Sequence, residues 1–261
     1  MEYIHTIIGE HYIQVQSQSD KILDWIRSNF AIVPATSFTP HMRVRLHEGY
    51  GVPFVNYEVS IKQEENNQIV YRRSDYLIVV DSDYREAAIS VHNELALKHA
   101  FMNLYSSFLV HTKWGLLIHS SCVIEKDKAY LFAGHSGAGK STAAKLSDPR
   151  ELLSDEASIV KITPDGITVF DSPFRSELSR SGSMDKSALA GIYLLHQAVS
   201  NHKVTLSRSD GFLQLVDKVF YWAHSLEETV NILHMLLVLA KTVTINELHF
   251  QKNDTFWELI S

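Results

Sequence analysis

The sequence predicts an α/β protein with a mixed-sheet core, helices, and a β-rich N-terminal portion. Three observations lead there. Strand-patterned runs dominate residues 1–92, helical periodicity dominates the tail, and a glycine-rich octapeptide near the middle stands between an apolar strand and a helix-compatible run. The predicted division is residues 1–92 for the β-rich portion and 93–261 for the core that carries the octapeptide.

In chain order, β-rich runs occur at Tyr3–Ile8, Tyr12–Gln16, Met42–Leu46, Phe54–Lys62, Ile69–Arg73 and Tyr76–Val80, with Asn66-Asn67 as a hairpin turn. A helix near Lys21–Phe30, capped by Ser19 or Asp20, interrupts them. A longer helical pattern spans Asn93–Thr112, where Leu95, Leu97, Ala100, Leu104 and Phe108 recur at near-helical spacing. A strand pair follows, Leu116–Ile124 and Lys128–Ala133, joined by Glu125-Lys126-Asp127. Strands Ala157–Ile162 and Ile167–Phe170 flank Thr163-Pro164-Asp165-Gly166, a strong turn signal. Strand Leu189–Leu195 then leads into a mostly helical tail. Ser225-Leu226-Glu227-Glu228 forms a capping box before a Val230–Leu239 helix. A strand at Val243–Phe250 and a short Asp254-capped helix close the chain.

With 45% apolar and 21% charged residues, the chain can build an ordinary globular core. The net charge of −6 excludes nonspecific binding to nucleic acid or a membrane surface, both of which need a basic face. A single cysteine, Cys122, excludes an internal disulfide and fits a reducing compartment; its apolar neighbours predict a buried, inert thiol. Met1–His5 lacks the pattern of a signal peptide, and the most apolar stretch, Ile232–Ala240, is too short to span a bilayer. These features predict a soluble, cytoplasmic protein. The fourteen histidines form no H-x-H or H-E-x-x-H cluster, so no zinc site is expected.

The octapeptide Gly134–Ser141, Gly-His-Ser-Gly-Ala-Gly-Lys-Ser, matches the phosphate-binding pattern G-x-x-x-x-G-K-[ST] in full. Residues Gly134, His135, Ser136, Gly137, Ala138, Gly139, Lys140, Ser141 and Thr142 are the candidate phosphate-binding set. The glycines let backbone N–H groups approach phosphates without a Cβ in the way, and the helix start favours the same anion. Lys140 reaches the outer phosphates and the Ser141 hydroxyl is placed to ligate magnesium. The motif predicts binding of a nucleoside triphosphate.

Transfer from a triphosphate needs one acid for magnesium and a base for the acceptor's proton. Leu152-Leu153-Ser154-Asp155-Glu156 supplies both, an apolar strand expected to end in adjacent carboxylates pointing to opposite faces. His119 ends the apolar run Gly115–Ile118, ahead of the loop in sequence.

Taken together, an upstream histidine, a G-x-S-G-x-G-K-S loop entered from a hairpin, and a strand with paired acids resemble the HPr kinase family. These bacterial serine kinases have a nucleotide-binding core related to phosphoenolpyruvate carboxykinase. The resemblance covers about Trp114–Val160, and more loosely the C-terminus. It implies an HPr-kinase-like core, ATP and Mg2+ as cofactors, catalytic roles for His119, Lys140 and Asp155, and Asp155-Glu156 in place of the family's Asp-Asp. Some positions depart from the family pattern. His135 replaces the acid after the first loop glycine, Thr142 replaces the Glu after Lys-Ser, and Pro173-Phe174-Arg175-Ser176-Glu177 is the nearest stand-in for Glu-x-Arg-Gly.

Compact members of this kind are associated with ribosomal peptide biosynthesis, including kinases of the C-terminal serine of lasso-peptide precursors. The implied reaction transfers the γ-phosphate of ATP to a serine of a peptide or small protein. Ser141, Asp155 and Glu156 are the candidate metal ligands, with Glu156 preferred for magnesium and Asp155 as base. The family forms rings, which leaves a homo-oligomer open. Arg175 and Arg180 lie in a polar stretch, Ser172–Lys186, that reads as a loop able to close over the phosphates, and Arg175 is added to the cofactor-binding set. The rival readings are a kinase of an HPr-type carrier, a small-molecule phosphotransferase, and a non-catalytic ATP-dependent switch.

Overall fold

A computed structural model describes residues 2–35, 39–176, 178, 186–222 and 224–260, the side chain of Glu2 excepted. Two compact units emerge, Met1–His111 with Tyr221–Glu228, and Thr112–Phe220 with Thr229–Ser261. The described residues hold two large mixed sheets and six α-helices, so the molecule is of mixed α/β class. None of those helices is long and apolar enough to cross a membrane.

The first unit holds β1 (Glu2–Ile8), β2 (His11–Ser17), α1 (Asp20–Asn29), β3 (Ala31–Ile32), β4 (Met42–Glu48), β5 (Ser60–Gln63), β6 (Gln68–Arg72), β7 (Tyr76–Asp81), β8 (Glu86–Val91) and α2 (Glu94–His111). Its sheet runs β3-β1-β2-β4-β8-β7-β6-β5, parallel at β2–β4 and β4–β8 and antiparallel elsewhere. Strict alternation of burial along β2 reflects one face turned to the core. Ser19 caps α1 by accepting a hydrogen bond from Ile22 N, and Asn67 takes the positive φ of 63° that the β5–β6 turn requires. The predicted Phe54–Lys62 strand shrinks to β5, while β3 and β8 are additions that the sequence pattern does not single out.

The sequence pattern puts a boundary at residues 92 and 93 and gives the long helix to the core. In the structure α2 belongs to the first unit. It is apolar nearly all round and packs on β7 and β8. Its buried polar groups are tied there as well: Tyr105 Oη donates to Ile8 O at 2.9 Å and Asn103 Nδ2 to Tyr76 Oη at 3.0 Å.

The second unit opens with β9 (Gly115–Glu125), β10 (Lys128–Ala133), α3 (Lys140–Leu146), β11 (Glu151–Ser154), β12 (Ala157–Thr163), β13 (Gly166–Phe170) and β14 (Lys186–Gln197). It continues with β15 (His202–Thr205), α4 (Arg208–Val216), β16 (Thr244–Phe250) and α6 (Trp257–Ile260); α5 spans Leu226–Thr242. The turn between β9 and β10 places Lys126 and Asp127 at positive φ (51° and 59°), the geometry of a tight two-residue hairpin. β10 is antiparallel to β9 on one edge and parallel to β14 on the other. The pairings β10–β9–β12–β13–β14–β10 close on themselves, and β16 and β15 extend outward from β14. β15 and α4 break up what the sequence presents as a plain helical tail. The closing helix is capped by Asn253, which accepts from Thr255 N, not by the predicted Asp254.

Candidate active site

The octapeptide lies where the sequence pattern puts it, between the buried strand β10 and α3. Gly137 and Gly139 take φ of 81° and 108°, values that side chains rarely adopt. Space is equally limiting: a Cβ on Gly139 would lie 2.8 Å from Phe250 Cζ, and one on Gly134 2.6 Å from Ala138 Cβ. Ala138 is itself buried in the core around Phe132, Phe250 and Trp257, so the loop is seated from below. Gln197 Nε2 donates to Gly137 O at 2.7 Å and Ser121 Oγ to Lys140 O at 2.9 Å, fixing both ends of the turn.

Lys140 is buried, and its Nζ donates to Gly134 O and His135 O, each at 3.1 Å. The ammonium therefore curls over the carbonyl side of the loop. Burial pulls its pKa down, nearby Lys218 pulls the same way, and Glu156 opposes both.

As expected, the acids follow directly on the last residue of the apolar strand β11. β11 and β12 run along one edge of β9, with Ser154 opposite Cys122 and Ala157 opposite His119. Asp155 and Glu156 link those two strands, and the Ser120 N–H on β9 donates to Glu156 O at 3.1 Å. A register slip between Leu152 and Ser154 lets the chain stay on the edge while it turns the carboxylates. Asp155 is 2% exposed and accepts three hydrogen bonds, from Ser176 N at 3.0 Å, Ser176 Oγ at 2.9 Å and Leu178 N at 2.9 Å. Glu156 is half-buried.

His119 faces the same space. Burial, then Lys140 and Lys218, hold its pKa down to about 4, so the imidazole is neutral near pH 7. Its backbone N–H donates to Lys218 O at 2.7 Å and its ring lies 5.3 Å from that of Phe220. Cys122, as expected, is fully buried, and burial pushes its thiol pKa up.

A cleft of about 340 Å3 brings together His119, Lys140, Ser141, Thr142, Asp155 and Glu156 with the loop residues Ser136, Gly137 and Gly139. Ser176 and Gln197 complete its walls. Gly134 and Ala138 shape the loop from outside that lining. His135 points to solvent with its Nδ1 2.6 Å from Ser136 O.

Arg175 is placed elsewhere. Its Nη2 donates to Leu152 O and Leu153 O, each at 3.1 Å, and to Asp171 Oδ1 at 2.6 Å. It braces the irregular step of β11 that sets the position of Asp155, instead of lining the cleft. Arg180 and Glu177 lie outside the described residues.

Lys218, whose charge helps to lower the pKa of both His119 and Lys140, is a cation that sequence reasoning misses. It follows α4 and reaches β9 through a single bridge, Ile118 opposite Val219, with Phe220 N donating to Leu117 O at 2.9 Å. A one-residue bridge leaves no periodic trace in a sequence. Its Nζ pairs with Asp217 at 2.6 Å.

Fold and cleft together define a mixed α/β protein with a glycine-loop pocket walled by a lysine, a neutral histidine and two carboxylates. The chain belongs to the family described as SynChlorMet cassette protein ScmC, whose model matches residues 85–261. No curated protein matches it. Among solved structures, the HPr(Ser) kinase/phosphatase from Coxiella burnetii aligns with 55% of this chain and 90% of its own, at 9% identity and a TM-score of 0.29.

Proposed function

We propose that this chain is an ATP-dependent phosphotransferase that passes the γ-phosphoryl group to a serine hydroxyl of a peptide or small protein. The observation that carries the reading is the convergence of Lys140, neutral His119, Asp155 and Glu156 on one cleft beside the glycine loop. Lys140 on the wall, the charge of Lys218 close by and the half-buried Glu156 carboxylate suit a polyanion accompanied by a cation. A second cavity of about 200 Å3, lined by Gly139, Thr142, Gln197, Ala198, Phe250 and Lys252, adjoins the loop and suits a nucleoside.

The residues present fit magnesium: the Ser141 hydroxyl and the Glu156 carboxylate are oxygen donors on the wall of the cleft. Bound there, the ion would neutralise phosphate charge and orient the transferring group. Lys140 would exchange its loop carbonyls for phosphate oxygens. Asp155 would accept the acceptor's hydroxyl proton as the new P–O bond forms and the bond to ADP breaks. General-base help of this kind is worth about 10²–10⁴ in rate. Neutral His119 would hydrogen-bond the transferred group without adding charge.

The acceptor we assign is a precursor peptide of the lasso type ending in serine, following the resemblance of the loop region to stand-alone HPr-kinase-like enzymes. Intact-mass measurement tests this after incubation with ATP and magnesium, with a serine-terminated peptide and an HPr-type carrier side by side. Phosphate added to the peptide alone, and lost with Asp155→Asn, is the expected result. Phosphate on the carrier alone would reassign the acceptor, and no transfer to either would remove the kinase reading.

A further inference from the structure

We infer that His196, Glu247 and His249 form a binding site for a divalent transition-metal ion of the zinc class. The side chains come from two strands that are distant in sequence and adjacent in space. β14 and β16 are parallel with His196 opposite His249, and Glu247 precedes His249 by two residues and so shares its face.

The donor atoms already point at one another. His196 Nε2 lies 4.0 Å and His249 Nε2 3.6 Å from the Glu247 carboxylate, and one ligand atom from each residue fits within 4.8 Å of the others. A tetrahedral zinc with bonds of about 2.0–2.1 Å needs donors about 3.3 Å apart. Small side-chain rotations close that difference, since His196 is exposed and the other two are half-buried. Two imidazole nitrogens and one carboxylate oxygen make a three-residue set of the kind that leaves a fourth position open. That donor set favours zinc, cobalt, nickel or copper over magnesium and calcium, which prefer all-oxygen shells.

A third imidazole reinforces the assignment. His202 on β15 is also opposite His249, and their rings stack at 4.0 Å while His196 and His249 stack at 4.7 Å. Three imidazoles in one row beside a single carboxylate is an odd arrangement for a plain solvated surface. A metal ion gives it a purpose, with His202 next in line for the open position. Location adds to the case. Gln197, next to His196, holds the loop through Gly137 O, and Phe250, next to His249, packs beneath Gly139. An ion here would clamp together the two strand ends that seat the loop. The assignment does not depend on the kinase reading.

Calorimetric titration of Zn2+ alone into the full chain tests it, together with the absorption spectrum of the Co2+ form. One saturable ion per chain is expected, weakened at least tenfold by His249→Ala and by Glu247→Gln and unchanged by His234→Ala, a solvent-facing control on α5. The Co2+ form should show the intense visible bands of a four-coordinate ion. Circular dichroism confirms the fold of each variant, and His196→Ala repeats the test if His249→Ala misfolds. Uptake that survives both ligand variants, falls equally in His234→Ala, or never saturates overturns the proposal.

Discussion

Ser176 Oγ donates a 2.9 Å hydrogen bond to Asp155 Oδ2, while the Ser176 N–H donates to Oδ1 of the same carboxylate at 3.0 Å. Within the cleft a serine hydroxyl thus already meets the acid assigned as the base. The acid also anchors the neighbouring segment, because Leu178 N donates to Oδ2 at 2.9 Å. Chemistry and loop position are therefore coupled through one side chain.

Asp155→Asn should lower phosphoryl transfer by about 10²–10⁴. It also turns an amide donor toward groups that themselves donate, which costs about 1–3 kcal/mol of stability. Ser176→Ala separates the two effects. It keeps both backbone donors to Asp155, so turnover should fall less than tenfold. Single-turnover rates and thermal melting of the two variants check this.

Lys140→Met should remove transfer by about 10²–10³ through lost stabilisation of developing charge. Its stability should fall by about 1–3 kcal/mol, because methionine fills a similar space but takes the Nζ donor away from the buried Gly134 carbonyl. Nucleotide binding by calorimetry and the transfer rate provide the two readouts.

Gly139→Ala should destabilise the second unit. A side chain at φ 108° is strained by about 1–3 kcal/mol, and the Phe250 ring stands 2.8 Å from the new methyl group. At about 2–4 °C per kcal/mol the melting point should drop by several degrees. Adding Phe250→Leu should recover part of the loss. A double-mutant cycle gives the coupling directly.

The depressed pKa of His119 carries a signed expectation for acid stability. Between its ordinary value of 6.5 and its folded value of about 4, the unfolded chain binds a proton that the folded chain refuses. Stability from this group is therefore complete above pH 6.5 and declines as pH falls toward 4. His119→Asn should flatten that part of the stability profile, as followed by denaturant unfolding at several pH values. Transfer by the wild-type chain should show no ionisation of His119 between pH 5 and 8.

The hairpin of β9 and β10, the glycine loop and the helix after it are legible in sequence because apolar runs, turn residues and a fixed motif all agree there. The acids are legible as the end of an apolar strand, but the edge along which they lie is not. A bulge at Leu153 holds them along the edge of β9, and a bulge is a matter of register that periodicity does not encode. Arg175 reads as part of a mobile polar stretch, yet it is spent on the carbonyls of Leu152 and Leu153. Lys218 and the histidine row escape a linear reading for a shared reason. Each depends on strand pairing between distant segments, so the sequence presents as scattered what the sheet gathers at His196, His202 and His249.

The circuit of pairings through β10, β9, β12, β13 and β14 bears on how the cleft can open. The strand feeding the glycine loop has a hydrogen-bonded neighbour on either side, and the strand bearing His119 is held just as firmly. Neither can slide or splay without breaking the whole hoop. The loop floor is thus an anvil, and Ser176 and Leu178 are tied to the adjoining Asp155 carboxylate. In hydrogen exchange, amides of β10 should be among the last to trade their protons.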